Sequence, residues 1–157
     1  MKKRIDIMHD ALIHRRIEEF HAAKLNCAET VLTTLCDVMD LDIPEKFYPK
    51  IATPFGAGFG GLQSTCGAVT GALMVIGLQR GRDVGGDKQP GYDEAKSIIN
   101  WFKTLYGHID CRALTGIDLS IPENAAAFRA PAGGHETVCE PIVESVIREL
   151  IRRYYGA

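Results

Sequence analysis

The chain has five cysteines in 157 residues but nowhere a Cys-x-x-Cys. That absence removes the thioredoxin motif, the zinc ribbon and knuckle, and the Cys-x-x-Cys-His attachment of haem. No haem is therefore expected. An excess of one charge is also missing, since 18 basic and 20 acidic residues leave a net charge of −2, without the basic patch that marks nucleic-acid binders. Arg148, Arg152 and Arg153 are read as an ordinary solvated helix face. The longest apolar stretch, Cys66 to Leu78, falls short of the roughly 18 residues of a membrane span and predicts a buried helix instead. No segment alternates as a strand does, and there is no repeat or linker. The expectation is a single all-α domain over residues 1–157, of about five to seven helices.

Met1-Lys2-Lys3-Arg4 carries the charge of a signal-peptide start, but Asp6, His9 and Asp10 interrupt the apolar core such a peptide needs. A cytoplasmic location is expected. Persistent disulfides are rare there, so widely spaced cysteines point to metal ligation or redox work.

Helical spacing recurs along the chain. Ile5, Met8, Leu12, Ile13, Ile17 and Phe20 mark one helix, and Ala28, Val31, Leu32, Leu35 and Met39 mark the next. Pro44 to Ile51 predicts a short third helix. The Gly-rich run Gly56-Ala57-Gly58-Phe59-Gly60-Gly61 should break regular structure before a buried helix from Cys66 to about Gln79. After a polar loop, Tyr92, Ala95, Ile98, Ile99, Phe102 and Leu105 form another stripe that Gly107 ends. A short turn at Cys111 and a brief helix within 124–134 precede the clearest stripe, Ile142, Val143, Val146, Ile147, Leu150, Ile151 and Tyr154.

Four cysteines fall where these helices begin. Cys27 follows Asn26, Cys66 follows Ser64 and Thr65, Cys111 follows Asp110, and Cys139 stands two residues before Pro141; such neighbours favour N-caps and first turns. The field there is worth about 0.3–1 kcal/mol, enough to lower a thiol pKa by a fraction of a unit to about one unit. Thiolate is the form that ligates metal and attacks disulfides. Any one of the four alone reads as a small buried hydrophobe. Together they read as sulfur chemistry assembled by folding, with Cys66 the most thiolate-like. Cys36, mid-helix with no cap beside it, reads as packing.

Gly56-x-Gly58-x-x-Gly61 matches a dinucleotide fingerprint only as a string, because no strand precedes it, and no nucleotide is expected. Its glycines are read as permitting a tight turn. Gly67 and Gly71, with Ala68 and Ala72, should let a neighbouring helix pack closely. His108 and His135 stand near Cys111 and Cys139 and are either ligands, proton carriers or loop histidines.

The run FGAGFGGLQSTCGAVTGALMVIGLQRG from Phe55 to Gly81, with Cys27 in NCAETVL before it and Cys111 and Cys139 after it, resembles the C-GCAxxG-C-C family of redox-active proteins. The core motif here is Cys66-Gly67-Ala68-Val69-Thr70-Gly71. The resemblance implies a small helical domain with a redox role, and a likeness to the non-haem part of split-Soret cytochromes, where four cysteines hold an iron-sulfur cluster. Three functions stay open. Cys27, Cys66, Cys111 and Cys139 could ligate a 2Fe-2S cluster for electron transfer with a redox partner protein. Cys66 could be the nucleophile of a metal-free thiol-disulfide oxidoreductase, with another of the four resolving. The four could hold a structural zinc in a non-catalytic domain. Self-association as a homodimer through the apolar helix faces is a further expectation.

Overall fold

Asn26 starts the central helix. Its side chain accepts the Glu29 N–H while the Glu29 carboxylate accepts the Asn26 N–H, a reciprocal capping box. The computed structural model describes residues 2–156, and the side chains of 10–20 and 22–156. The side chains of Ile5 and Met8 lie outside the described residues. The chain is all-α. Among the described residues there is no strand, only an isolated bridge between Thr65 and Asp110.

The helices are α1 (Lys2–Ala22), α2 (Cys27–Met39), α3 (Tyr48–Ala52), α4 (Gly67–Arg80), α5 (Gln89–Tyr106), α6 (Cys111–Thr115), α7 (Pro122–Arg129) and α8 (Glu140–Tyr155). α3 and α6 are single turns, which is why eight helices are present among the described residues where five to seven were expected. α2 is surrounded by α1, α3, α4 and α8, and its Ala28, Val31, Leu32 and Leu35 are wholly buried. Each such valine or leucine contributes about 1.5–3 kcal/mol through removal of its side chain from water. The α8 stripe closes the other side, with Ile142, Val143, Val146, Ile147 and Leu150 all buried.

α2 and α4 approach closely because α4 has glycines where it meets α2. A Cβ on Gly71 would lie 2.9 Å from Cβ of Val31 and 3.0 Å from the Ala28 carbonyl. One on Gly67 would lie 3.1 Å from Cβ of Cys27. The small residues of the Cys66 segment thus serve backbone approach, and that approach brings Cys27 beside the start of α4.

The basic neighbours on α8 are paired. Arg148 bonds Asp10 and Glu144, while Arg152 and Arg153 both bond Glu149. They form a salt-bridged face where the sequence suggested only a solvated one, and Arg153 is largely buried. No helix among the described residues is long and apolar enough to cross a membrane.

The Gly-rich run, expected to break regular structure and turn tightly, does so as a left-handed turn. Ala57, Gly58, Phe59 and Gly60 have φ of 49°, 67°, 63° and 64° in succession. A non-glycine residue in this region costs about 1–2 kcal/mol. The turn persists because it is tied at both ends: Gly60 N–H donates to Gly56 O at 2.9 Å, and Gln63 and Ser64 donate to Ala57 and Gly58 carbonyls at 3.0 Å each. Gly58 admits no side chain, since a Cβ would lie 2.4 Å from Ser64 N. The turn reverses the chain and delivers Cys66 to the mouth of α2.

Candidate functional site

Cys27, Cys66, Cys111 and Cys139 all line one cavity of about 540 Å³. None is in a disulfide. Cys36, buried within α2, does not line it. Burial alone pushes the Cys36 thiol up to about 12, which agrees with a packing role. Among the described residues, no group of three or more His, Cys, Asp or Glu side chains is placed to hold a metal ion.

Each cysteine arrives by a different local device. Cys27 is the first residue of α2, behind the Asn26 cap. Asn26 is itself pinned, donating from Nδ2 to Thr53 O at 3.1 Å, and Thr53 Oγ1 donates to Glu29 Oε1 at 2.6 Å. Cys111 opens α6 behind Asp110, whose carboxylate accepts the Ala113 N–H at 3.0 Å. Both follow their expected caps. Cys66 differs, being itself the cap residue of α4 rather than following a Ser64 or Thr65 cap.

Cys139 departs further from expectation. It does not sit at a free helix start: a π-helical turn over His135–Cys139 runs straight into α8. The wider turn begins after Gly134, where a Cβ would lie 2.2 Å from the Phe128 ring. π-turns within helices often occur at functional sites because they redirect a side chain.

Cys66 and Cys111 are held together by backbone. Cys66 N–H donates to Ile109 O at 2.7 Å and Cys111 N–H to Ser64 O at 2.6 Å. Gln63, only 5% exposed, extends this link. Its Nε2 donates to Thr115 Oγ1 at 3.2 Å and Ile117 O at 2.9 Å, and its Oε1 accepts the Leu119 N–H at 2.7 Å. Sequence reading missed Gln63, because a buried glutamine in a polar stretch leaves no periodic signal.

The four thiols have unlike acidities. Cys27 bonds to Cys139, which raises Cys27 well above its ordinary value; burial and the nearby Cys139, Cys66 and Cys111 sulfurs add to that. The same bond holds Cys139 below its ordinary value, against burial and the Glu140 charge. Burial pushes Cys66 up to about 11, although the Ala68 and Val69 N–H groups favour its thiolate. Burial, then the Cys66, Cys139 and Asp110 charges, push Cys111 up to about 12. The helix start at Cys66 does act on its sulfur, but desolvation outweighs it, whereas the bond from Cys27 favours thiolate at Cys139.

The histidines divide. His135 lines the cavity and stacks on Phe20, with ring centroids 4.6 Å apart and planes 4° off parallel. His108 is exposed and does not line it. The remaining walls include Leu114, Leu119 and Phe128, with Lys24 and Arg129 beside them; the sequence reading had not connected these with the cysteines.

An all-α domain with four unbridged cysteines around one cavity defines a class of thiol-lined helical proteins. The family described as "Putative redox-active protein (C_GCAxxG_C_C)" matches residues 25–152, so the chain belongs to the C_GCAxxG_C_C redox-active family. No curated protein and no solved structure matches it.

Proposed function

We propose that the protein is an electron carrier in which Cys27, Cys66, Cys111 and Cys139 ligate an iron-sulfur cluster of the 2Fe-2S type. The observation that carries this reading is the lining of one cavity by these four sulfurs, with Cys36 apart from it. Four thiolates are a standard ligand set for such a cluster, which takes up and releases single electrons. Four cysteine sulfurs are the donor set such a cluster takes, and they would have to draw closer to bind it, since no three of them are grouped to hold a metal ion among the described residues. Burial and mutual charge raise three of the thiols, so four bare thiolates would oppose one another, and cationic iron would relieve that opposition. The Ala68 and Val69 N–H groups aimed at Cys66 also favour its thiolate.

Anaerobic purification tests the reading. The expected product is brown, with about two irons and two acid-labile sulfides per chain. Cys27→Ser, Cys66→Ser, Cys111→Ser and Cys139→Ser should each lose iron, and Cys36→Ser should keep it. Colourless protein loaded with zinc would instead assign the four cysteines to a structural site.

The bond between Cys27 and Cys139 favours a second reading, a metal-free dithiol oxidoreductase. The Cys139 thiolate attacks one sulfur of a substrate disulfide, the substrate S–S bond breaks, and one thiolate leaves. Cys27 loses its proton and attacks Cys139, forming the Cys27–Cys139 disulfide and releasing the second substrate thiol. The substrate is reduced by two electrons and the cysteine pair is oxidised. Cys139 takes the attacking role that the sequence had given to Cys66. Colourless, metal-free protein that reduces a small aromatic disulfide, and loses that activity in Cys139→Ser, is the outcome specific to this reading.

A further inference from the structure

We infer that the cavity also binds an apolar organic acid, with its carboxylate held by Lys24 and Arg129 at the cavity mouth. Three observations carry this. The volume of about 540 Å³ lies within the roughly 300–1,000 Å³ of small-molecule sites, which are mostly apolar with a few polar groups. Away from the sulfurs the walls are of that kind, with Phe20, Phe128, Leu114 and Leu119 lining the space. Lys24 and Arg129 line it too, yet both are exposed, which puts them at its opening.

The charge balance gives the opening a sign. Among the described residues no carboxylate pairs with Lys24 or Arg129. The other described arginines are engaged: Arg15, Arg16, Arg80, Arg112, Arg148, Arg152 and Arg153 bond carboxylates, and Arg82 bonds the Gly86 carbonyl. The arginine left over is the one on the cavity. A guanidinium presents a planar fork that matches a carboxylate, and the Lys24 ammonium on the same cavity adds a second positive charge to it. An apolar body would then extend inward between the phenylalanine and leucine side chains. The inference rests on the redox reading only in placing that body beside reactive sulfurs; binding needs the walls and the two cations.

Isothermal titration calorimetry on the full chain tests it with three matched probes, 4-phenylbutyrate, 4-phenylbutyramide and 4-phenylbutylamine. The acid should bind about tenfold more tightly than the amide, as expected of one charge-assisted contact, and the amine most weakly. Lys24→Met and Arg129→Met should each remove most of the preference for the acid while leaving amide binding unchanged. Equal binding of the three probes by the wild-type protein, or no binding at millimolar concentration, overturns the inference without reference to the variants. Iron and sulfide are measured on the same preparation. Acid binding by iron-free protein would sink the cluster alone, and iron-loaded protein indifferent to the acid would sink the binding site alone.

Discussion

Cys111 donates its backbone N–H to the carbonyl of Ser64 at 2.6 Å, two residues before Cys66. The reciprocal bond from Cys66 N–H to Ile109 O makes a two-rung clamp. Two cysteines distant in the chain are thereby held by backbone rather than by side-chain contacts. Replacing either sulfur by oxygen would leave the clamp intact.

Gln63 reinforces that clamp from behind. Gln63→Ala removes its bonds to Thr115, Ile117 and Leu119 and leaves half-buried partners unpaired, which should cost about 1 kcal/mol. Gln63→Gly should cost less, because the native φ of 54° is easy for glycine. Urea denaturation of the two variants should give that order, with faster maleimide labelling of Cys111 in both. Equal stability of Gln63→Ala and wild type would show that the side chain braces nothing.

Alkylation should follow the order of acidity. In reduced, metal-free protein below the usual thiol pKa of about 8.5, Cys139 should react first, because the Cys27 bond stabilises its thiolate. Cys66, Cys111 and Cys36 should lag, being pushed up to about 11, 12 and 12. Peptide mass mapping after brief iodoacetamide treatment reads the order. Labelling of Cys66 ahead of Cys139 would mean that the helix start, and not the paired sulfur, governs reactivity.

Two glycines of α4 should respond with opposite signs. Gly71→Ala would press a methyl group against Val31 and the Ala28 carbonyl, and such overpacking typically costs about 1–3 kcal/mol. Gly77→Ala meets nothing within 4 Å and should gain about 0.5–1 kcal/mol from helix propensity. Thermal unfolding of the pair distinguishes close helix approach from a general dislike of side chains on this helix. A stabilised Gly71→Ala would contradict the α2–α4 packing.

Glu149 should make stability depend on pH. Hydrogen bonds from Arg152 and then Arg153 hold its carboxyl below the usual carboxylate range. Arg152 is largely exposed, so the contribution is discounted to about 1 kcal/mol. A group whose folded pKa is depressed stabilises above its unfolded value and loses that contribution as pH falls through the folded one. Glu149→Gln should therefore be less stable than wild type at neutral pH. Urea midpoints should converge once the carboxylate is protonated in the folded state, and a constant gap down to low pH would refute an ionic origin.

Much of the helical frame was legible because it rests on local rules. The cap at Asn26, the α8 stripe and the stop at Gly107 are each written within a few adjacent residues. Gly67 and Gly71 could be read as places of close approach, though the partner, α2 at Ala28 and Val31, could not be named. The left-handed turn was not legible, because Ala57 and Phe59 favour ordinary helical or extended backbone. Bonds from Gly60, Gln63 and Ser64 back to Gly56, Ala57 and Gly58 hold them there.

By itself the sequence determined an all-α chain, the four cysteines worth following and the fifth to set aside, because helix periodicity, caps and residue spacing act over a few positions. Tertiary structure decided which sulfur is most acidic and what else lines the cavity. Acidity depends on desolvation and on which group stands opposite, and both arise only when distant segments meet. The helix-start field favours the Cys66 thiolate locally, but burial reverses the outcome, while the bond from Cys27 favours the Cys139 thiolate. Lys24, just past α1, and Arg129, the last residue of α7, likewise border one cavity only because distant segments meet.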